Sequence, residues 1–193
     1  MQGEPGPFTP DDFRVVGELA LATWQAGADR DWSVPAGTLE WSCRYTAEHV
    51  VDSALAPAFF LASRRVHAYP SFEDFRISTD ATIADLIDCL RTSVNVAHAV
   101  LVVTPPDARA IIRRRPVPQT APAPAFAARC GLELILHNAD IAAGLDIAFD
   151  PPRDLCERLY LATIDFPREE IERTDDSWSD LLAIGGRPRP SER

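Results

Sequence analysis

Lysine is absent from this chain: all 19 basic residues are arginine, against 29 acidic ones, for a net charge of −10. A field of that sign repels a polyanion, which argues against a phosphate-tracking nucleic-acid binder. Cysteine occurs only four times, at Cys43, Cys89, Cys130 and Cys156. No two of them form a Cys-x-x-Cys pair, so zinc ribbons and dithiol redox motifs are set aside and reduced, buried thiols are expected. No apolar run approaches the ~20 residues that a membrane helix needs. The opening Met1-Gln2-Gly3-Glu4-Pro5 has neither the basic nor the apolar part of a secretory signal. The expectation is a cytoplasmic protein with neither a membrane span nor a nucleic-acid partner. Arginine in place of lysine, with abundant alanine and proline, reads as the coding bias of a high-GC bacterium.

What is present is a chain of 193 residues, 46% hydrophobic and 25% charged, enough for one ordinary core without disulfides. Apolar residues recur at helical spacing in four long segments. The first runs from Pro10 to Gly27 through Phe13, Val16, Ala20 and Trp24, and the turn residues of Asp31–Gly37 follow it. The second starts at Ser42 or Thr46 and reaches Val66, with Pro57 expected to bend it. The third carries Ile83, Leu86, Leu90, Val94, Ala97 and Leu101 and stops at Pro105-Pro106. A proline-studded stretch, Arg113 to Pro124, reads as a long crossover loop and not as a strand. The fourth helix spans about Ala123 to Gly144, and a shorter one follows Pro151-Pro152. No segment alternates with period two. The fold class predicted is all-α: a four-helix bundle with a long crossover before its fourth helix and short extra helices at the C-terminus. Residues 1–184 are expected to form one domain, and the Gly/Arg/Pro-rich residues 185–193 a disordered tail.

Bundles build sites from side chains on facing helices, so polar residues that interrupt apolar faces carry the information. In Leu132-Glu133-Leu134-Ile135-Leu136-His137 a carboxylate and an imidazole lie four residues apart, on one helix face and within reach of one small object. A metal ion fits the pair; so does a Glu–His hydrogen bond at a half-exposed position. The second helix offers His49, with the small Ser53 and Ala56 next along its face. Small neighbours leave room for a cavity, although a core histidine bonded to one carbonyl would read the same way. Together His49, Glu133 and His137 have the ligand types and number of a catalytic zinc site with an open position. Asp52 could bond a metal ligand or a metal-bound water, or stand as a solvated helix carboxylate. Asn95 and His98, one turn apart on the third helix, and Arg113, at the head of Arg113-Arg114-Arg115, are weaker candidates for holding a cofactor or an anionic substrate. His67, at a helix end, reads as solvated.

Several blocks also resemble a known family. Asp31-Trp32-Ser33-Val34-Pro35-Ala36-Gly37, Leu39-Glu40-Trp41-Ser42-Cys43 leading to Thr46-Ala47-Glu48-His49-Val50, and Glu133-Leu134-Ile135-Leu136-His137-Asn138-Ala139-Asp140-Ile141 look like the DinB-like superfamily. They are most like the N-terminal domain of mycothiol-dependent maleylpyruvate isomerases. Phe149-Asp150-Pro151-Pro152 and Trp178-Ser179-Asp180-Leu181-Leu182 resemble actinobacterial members. The resemblance implies a four-helix bundle with a metal at one end, with His49, Glu133 and His137 at the ligand positions and mycothiol as co-substrate. It also implies thiol transfer to small electrophiles. The isomerases carry a further C-terminal domain, so the expectation is a zinc-dependent, thiol-using transferase or isomerase, not maleylpyruvate isomerisation in particular. A metal-dependent hydrolase needs the same three ligands, and a non-catalytic small-molecule-binding or stress-response module could keep the bundle. A monomer or homodimer is expected.

Overall fold

In a computed structural model the protein is described over residues 6–70, 75–113, 118–163 and 170–189. Six helices and one hairpin follow in the order α1 (Pro10–Ala26), α2 (Cys43–Ser63), α3 (Ile83–Val103), β1 (Arg109–Arg113), β2 (Gln119–Pro122), α4 (Ala123–Gly144), α5 (Arg153–Ala162) and α6 (Ser177–Ile184). The boundaries have local causes. Thr9 and Thr82 close capping boxes with Asp12 and Asp85 at the starts of α1 and α3, each satisfying two otherwise orphaned N–H groups. Ser42 caps α2 by accepting the N–H of Tyr45 at 3.1 Å. Pro57 stays within helical α2; lacking an N–H, it leaves the Ser53 carbonyl without its usual intrahelical donor.

Both α1 and α2 pack against α3 and α4, which makes the four-helix bundle. Most of α4 is buried, from Ala123 through Phe126, Leu134, Ile135 and Ile141. It is the central helix, and α5 and α6 pack on each other beside it. The periodicity of α1 is matched by burial of Phe13, Val16, Ala20 and Trp24.

Two expectations need correction. The crossover before α4 holds an antiparallel hairpin, with Ala110 opposite Ala121 and Ile111 opposite Thr120. Its prolines do not prevent this, because Pro122 closes an edge strand where no ladder donor is required. Burial of Ala110 and Ile111 and the Ile111 N–H to Arg65 carbonyl bond at 2.8 Å hold β1 to the end of α2. Second, α3 is long and apolar enough, at a mean hydropathy of 1.5, to cross a membrane by length and composition alone, although in the bundle it packs between α1 and α2. Residues 185–189, part of the expected tail, also make contacts. The Arg187 N–H returns to the Leu182 carbonyl at 2.9 Å, and the Arg187 and Arg189 guanidinium groups reach the buried carboxylates of Asp140 and Asp180. Composition could not show those partners.

The segment between α1 and α2 is folded onto α4. Trp32 donates its indole N–H to the Gly27 carbonyl at 2.9 Å, and the Ala36 N–H reaches the Trp41 carbonyl at 2.8 Å. Gly37 adopts φ +56° with its backbone against Asp140, a conformation that favours glycine. Gly144 admits the loop even more closely: a Cβ there would collide with the Pro35 carbonyl and lie 2.5 Å from Cys43 Sγ. Helix propensity alone would make Gly144→Ala stabilising by up to ~1 kcal/mol. The collision reverses the sign. We expect destabilisation of about 1–3 kcal/mol, seen as a fall of about 2–10 °C in melting temperature; an unchanged or raised melting temperature would contradict this packing.

Candidate metal centre

His49 on α2 and Glu133 and His137 on α4 come together although 84 residues separate the first two in sequence. Their ligand atoms all lie within 4.8 Å of one another. His49 Nε2 is 3.8 Å and His137 Nε2 3.5 Å from the same oxygen, Glu133 Oε2, and the two rings meet edge to face with centroids 4.9 Å apart. Ligand atoms around a tetrahedral zinc with ~2.1 Å bonds stand about 3.4 Å apart. Two imidazoles and one carboxylate at these separations therefore fit a divalent ion after small adjustments. All three residues are half-buried.

Charge explains why the set holds together. Burial pushes the Glu133 carboxyl up, but the nearby imidazoles of His137 and His49 and the Arg129 guanidinium overcome it and hold Glu133 well below the usual carboxylate range. Arg129 occupies the other oxygen, Oε1, at 2.5 Å. Burial lowers His137, yet its bonds to Asp140 and Glu133 win, and its ring is raised above the ordinary histidine value. The Asp140 carboxyl, raised by burial, is brought below its ordinary value by His137 and Arg187.

The surroundings include residues that the sequence did not single out. Asp140 Oδ2 is 3.2 Å from His137 Nδ1, and Arg187 donates to both Asp140 oxygens at 3.3 and 2.7 Å. Trp41, held by the α1–α2 segment, stands edge-on to His49 at 5.3 Å and nearly parallel to His137 at 6.2 Å, and Tyr45 meets it edge to face at 5.1 Å. Ser53 Oγ lies 3.2 Å from His49 Nε2. Glu133-x-x-x-His137-x-x-Asp140 and Arg129 four residues before Glu133 are spacings that place all four on one face of α4. That signal was available; for Arg187 there was none.

The remaining candidates lie elsewhere or have other partners. Asp52 accepts the N–H of Phe75 at 2.9 Å and so ties the following segment to α2. His98 turns to α1, with Nε2 3.0 Å from Asp11 Oδ1, and Asn95 is exposed on α3. Neither joins the cluster. Arg113 ends β1; its side chain, with Arg114 and Arg115, lies outside the described residues. His67 is exposed beyond the end of α2. All four cysteines are free thiols.

No protein-family profile matches the chain, and no curated protein matches its sequence. Among solved structures, the crystal structure of the mycothiol-dependent maleylpyruvate isomerase is similar at a TM-score of 0.55 and 16% sequence identity, over 80% of this chain and 70% of that one. A structure of a histidine-to-alanine mutant of that isomerase gives the same values. The fold is shared. At this identity the likeness is one of architecture, and it is the architecture that the motif resemblance implied.

A metal entering this cluster must displace the proton that Glu133 and Asp140 stabilise on His137, whereas Glu133 is already ionised. Because the His137 value is raised above 6.5, affinity is lost as pH falls through and below it. Zinc competition titrations should give a dissociation constant at least about tenfold weaker at pH 5.5 than at pH 7.5, with about one proton or more released per metal near pH 6.5. A pH-independent affinity would contradict the assignment of His137 as a ligand.

Proposed function

We propose that the chain is a metal-dependent, thiol-using transferase or isomerase acting on a small electrophile. In this reading His49, Glu133 and His137 hold zinc, and mycothiol is the co-substrate. The observation that carries it is the two-imidazole, one-carboxylate cluster, a donor set that leaves a zinc ion an open position. The shared fold supports the choice of thiol, since the similar structure is that of a mycothiol-dependent isomerase.

When bound, zinc supplies an acidified thiol, and hence a thiolate nucleophile, at neutral pH. The chain's own residues do the remainder. Glu133 offers an oxygen already free of its proton, with Arg129 balancing the other one. Trp41 shields both imidazoles on one side and, being 41% exposed, offers an apolar wall to an incoming molecule. The Ser53 hydroxyl is within hydrogen-bond reach of His49 Nε2, and once that nitrogen is engaged it is free to bond an exogenous ligand. Three of the protein's four thiols do not suit the role of nucleophile: burial pushes Cys43 up to about 11 and Cys130 and Cys156 up to about 12. No cysteine belongs to the cluster, and in this reading the sulfur comes from outside, from a cytoplasmic low-molecular-weight thiol. Its thiolate adds to an electrophilic carbon of a conjugated double bond, whose π pair moves to the adjoining carbonyl; capture of that pair by the thiol's proton, with the carbon–sulfur bond kept, is transfer, and return of the pair with expulsion of the thiolate after bond rotation is isomerisation.

The test uses cobalt-substituted protein. Adding mycothiol at neutral pH should produce a sulfur-to-metal charge-transfer band, and His49→Ala should abolish it. A cobalt spectrum unmoved at saturating thiol, yet altered by a small carboxylate or azide, would overturn the thiol reading in favour of water at the open position and a hydrolase.

A further inference from the structure

We infer that Arg187, on the segment after α6, is a positioning residue for the metal centre: through Asp140 it fixes the tautomer and orientation of His137, so the C-terminal strap completes the site. This rests on the three-ligand reading above.

The argument turns on what His137 Nδ1 faces. Asp140 Oδ2, an acceptor, is 3.2 Å away, and Arg187 Nη2, a donor, is 3.3 Å away. These two neighbours ask for opposite states of the nitrogen. A ring whose Nε2 lone pair is given to a metal must, when neutral, carry its proton on Nδ1. Only the Asp140 partner is compatible with that state. A histidine ligand that donates its second N–H to a carboxylate is held in one tautomer and one ring orientation and is made a stronger donor.

Asp140 cannot serve alone. It is 4% exposed, and a buried carboxylate needs a partner cation and further hydrogen bonds. Arg187 supplies both, bonding Oδ2 at 2.7 Å and Oδ1 at 3.3 Å, in the two-pronged geometry that a lysine cannot reproduce. Arg187 is itself held: its Nη1 donates to the Gly185 carbonyl at 2.6 Å and its backbone N–H to the Leu182 carbonyl at 2.9 Å. Gly186, at φ +74°, makes the turn that points the side chain back toward α4. The relay therefore runs from the end of α6 through Arg187 and Asp140 to His137, joining a terminal helix to a centre built on α2 and α4.

The experiment measures zinc affinity by chelator competition, with the cobalt d–d spectrum, for the full chain and for Arg187→Ala, Arg187→Lys and Asp140→Asn. Arg158→Ala, which removes the comparable Arg158–Asp12 pair between α5 and α1, controls for general loss of stability. Arg187→Ala and Asp140→Asn should each weaken zinc on the order of 10–100-fold and shift the cobalt spectrum. Their double variant should lose no more than the worse single one, since they act as a unit. Arg187→Lys should recover only part of the loss, and Arg158→Ala should bind as wild type. Should Arg187→Ala not fold, the near-isosteric Asp140→Asn and Arg187→Lys carry the test alone. Wild-type affinity in all folded Arg187 and Asp140 variants overturns the inference while leaving the three-ligand site standing. Failure of the unaltered protein to bind zinc or cobalt overturns both.

Discussion

A carboxylate on an apolar helix face cannot remain ionised without positive company, and the arrangement around Glu133 follows from that requirement. Its two oxygens are divided between kinds of partner: Arg129 on Oε1, the imidazoles of His49 and His137 toward Oε2. Loss of one member leaves the half-buried Glu133 with fewer positive partners, so these groups are mutually dependent. With a proton on His137 the cluster is held by charge contacts around Glu133. A divalent ion in place of that proton, with small adjustments of the three side chains, would make it a metal centre. The fold needs only to bring α2 against α4 at the level of His49, which the central burial of α4 achieves.

Two further pieces of chain converge on that contact. The α1–α2 segment is drawn against α4 by the close approach at Gly144 and the left-handed turn at Gly37, and it thereby holds Trp41 beside both imidazoles. From the opposite end of the sequence, the turn after α6 lays Arg187 on Asp140. Neither piece contributes a ligand atom. Each restricts a residue that does, which is how a bundle of short-range helical contacts acquires a site with defined orientations.

The helices were legible because their signals are local. Apolar spacing, the Thr9 and Thr82 caps and the prolines at the start of α4 depend on neighbours a few residues away, and the extents of α1 and α4 read closely from them. Glu133 and His137 were legible for the same reason, since one helical turn joins them. His49 could be paired with them only by assuming that its helix faces theirs; the bundle reading supplied that assumption, and the DinB-like motifs agreed with it. The hairpin was hidden because its stability comes from docking Ile111 on the end of α2, and proline content argued the other way. Arg187 was hidden more completely: Gly185-Gly186-Arg187-Pro188 has the composition of a free tail, and its order depends on a buried carboxylate 47 residues earlier.

The central claim is that two histidines and one carboxylate, and no sulfur, hold a zinc ion between α2 and α4. Zinc K-edge X-ray absorption on the zinc-loaded protein, without added thiol, addresses it most directly. The account predicts a first shell of nitrogen and oxygen at about 2.0–2.1 Å with outer-shell scattering from two imidazole rings. A sulfur scatterer at about 2.3 Å, or the outer-shell pattern of a single imidazole, would contradict it.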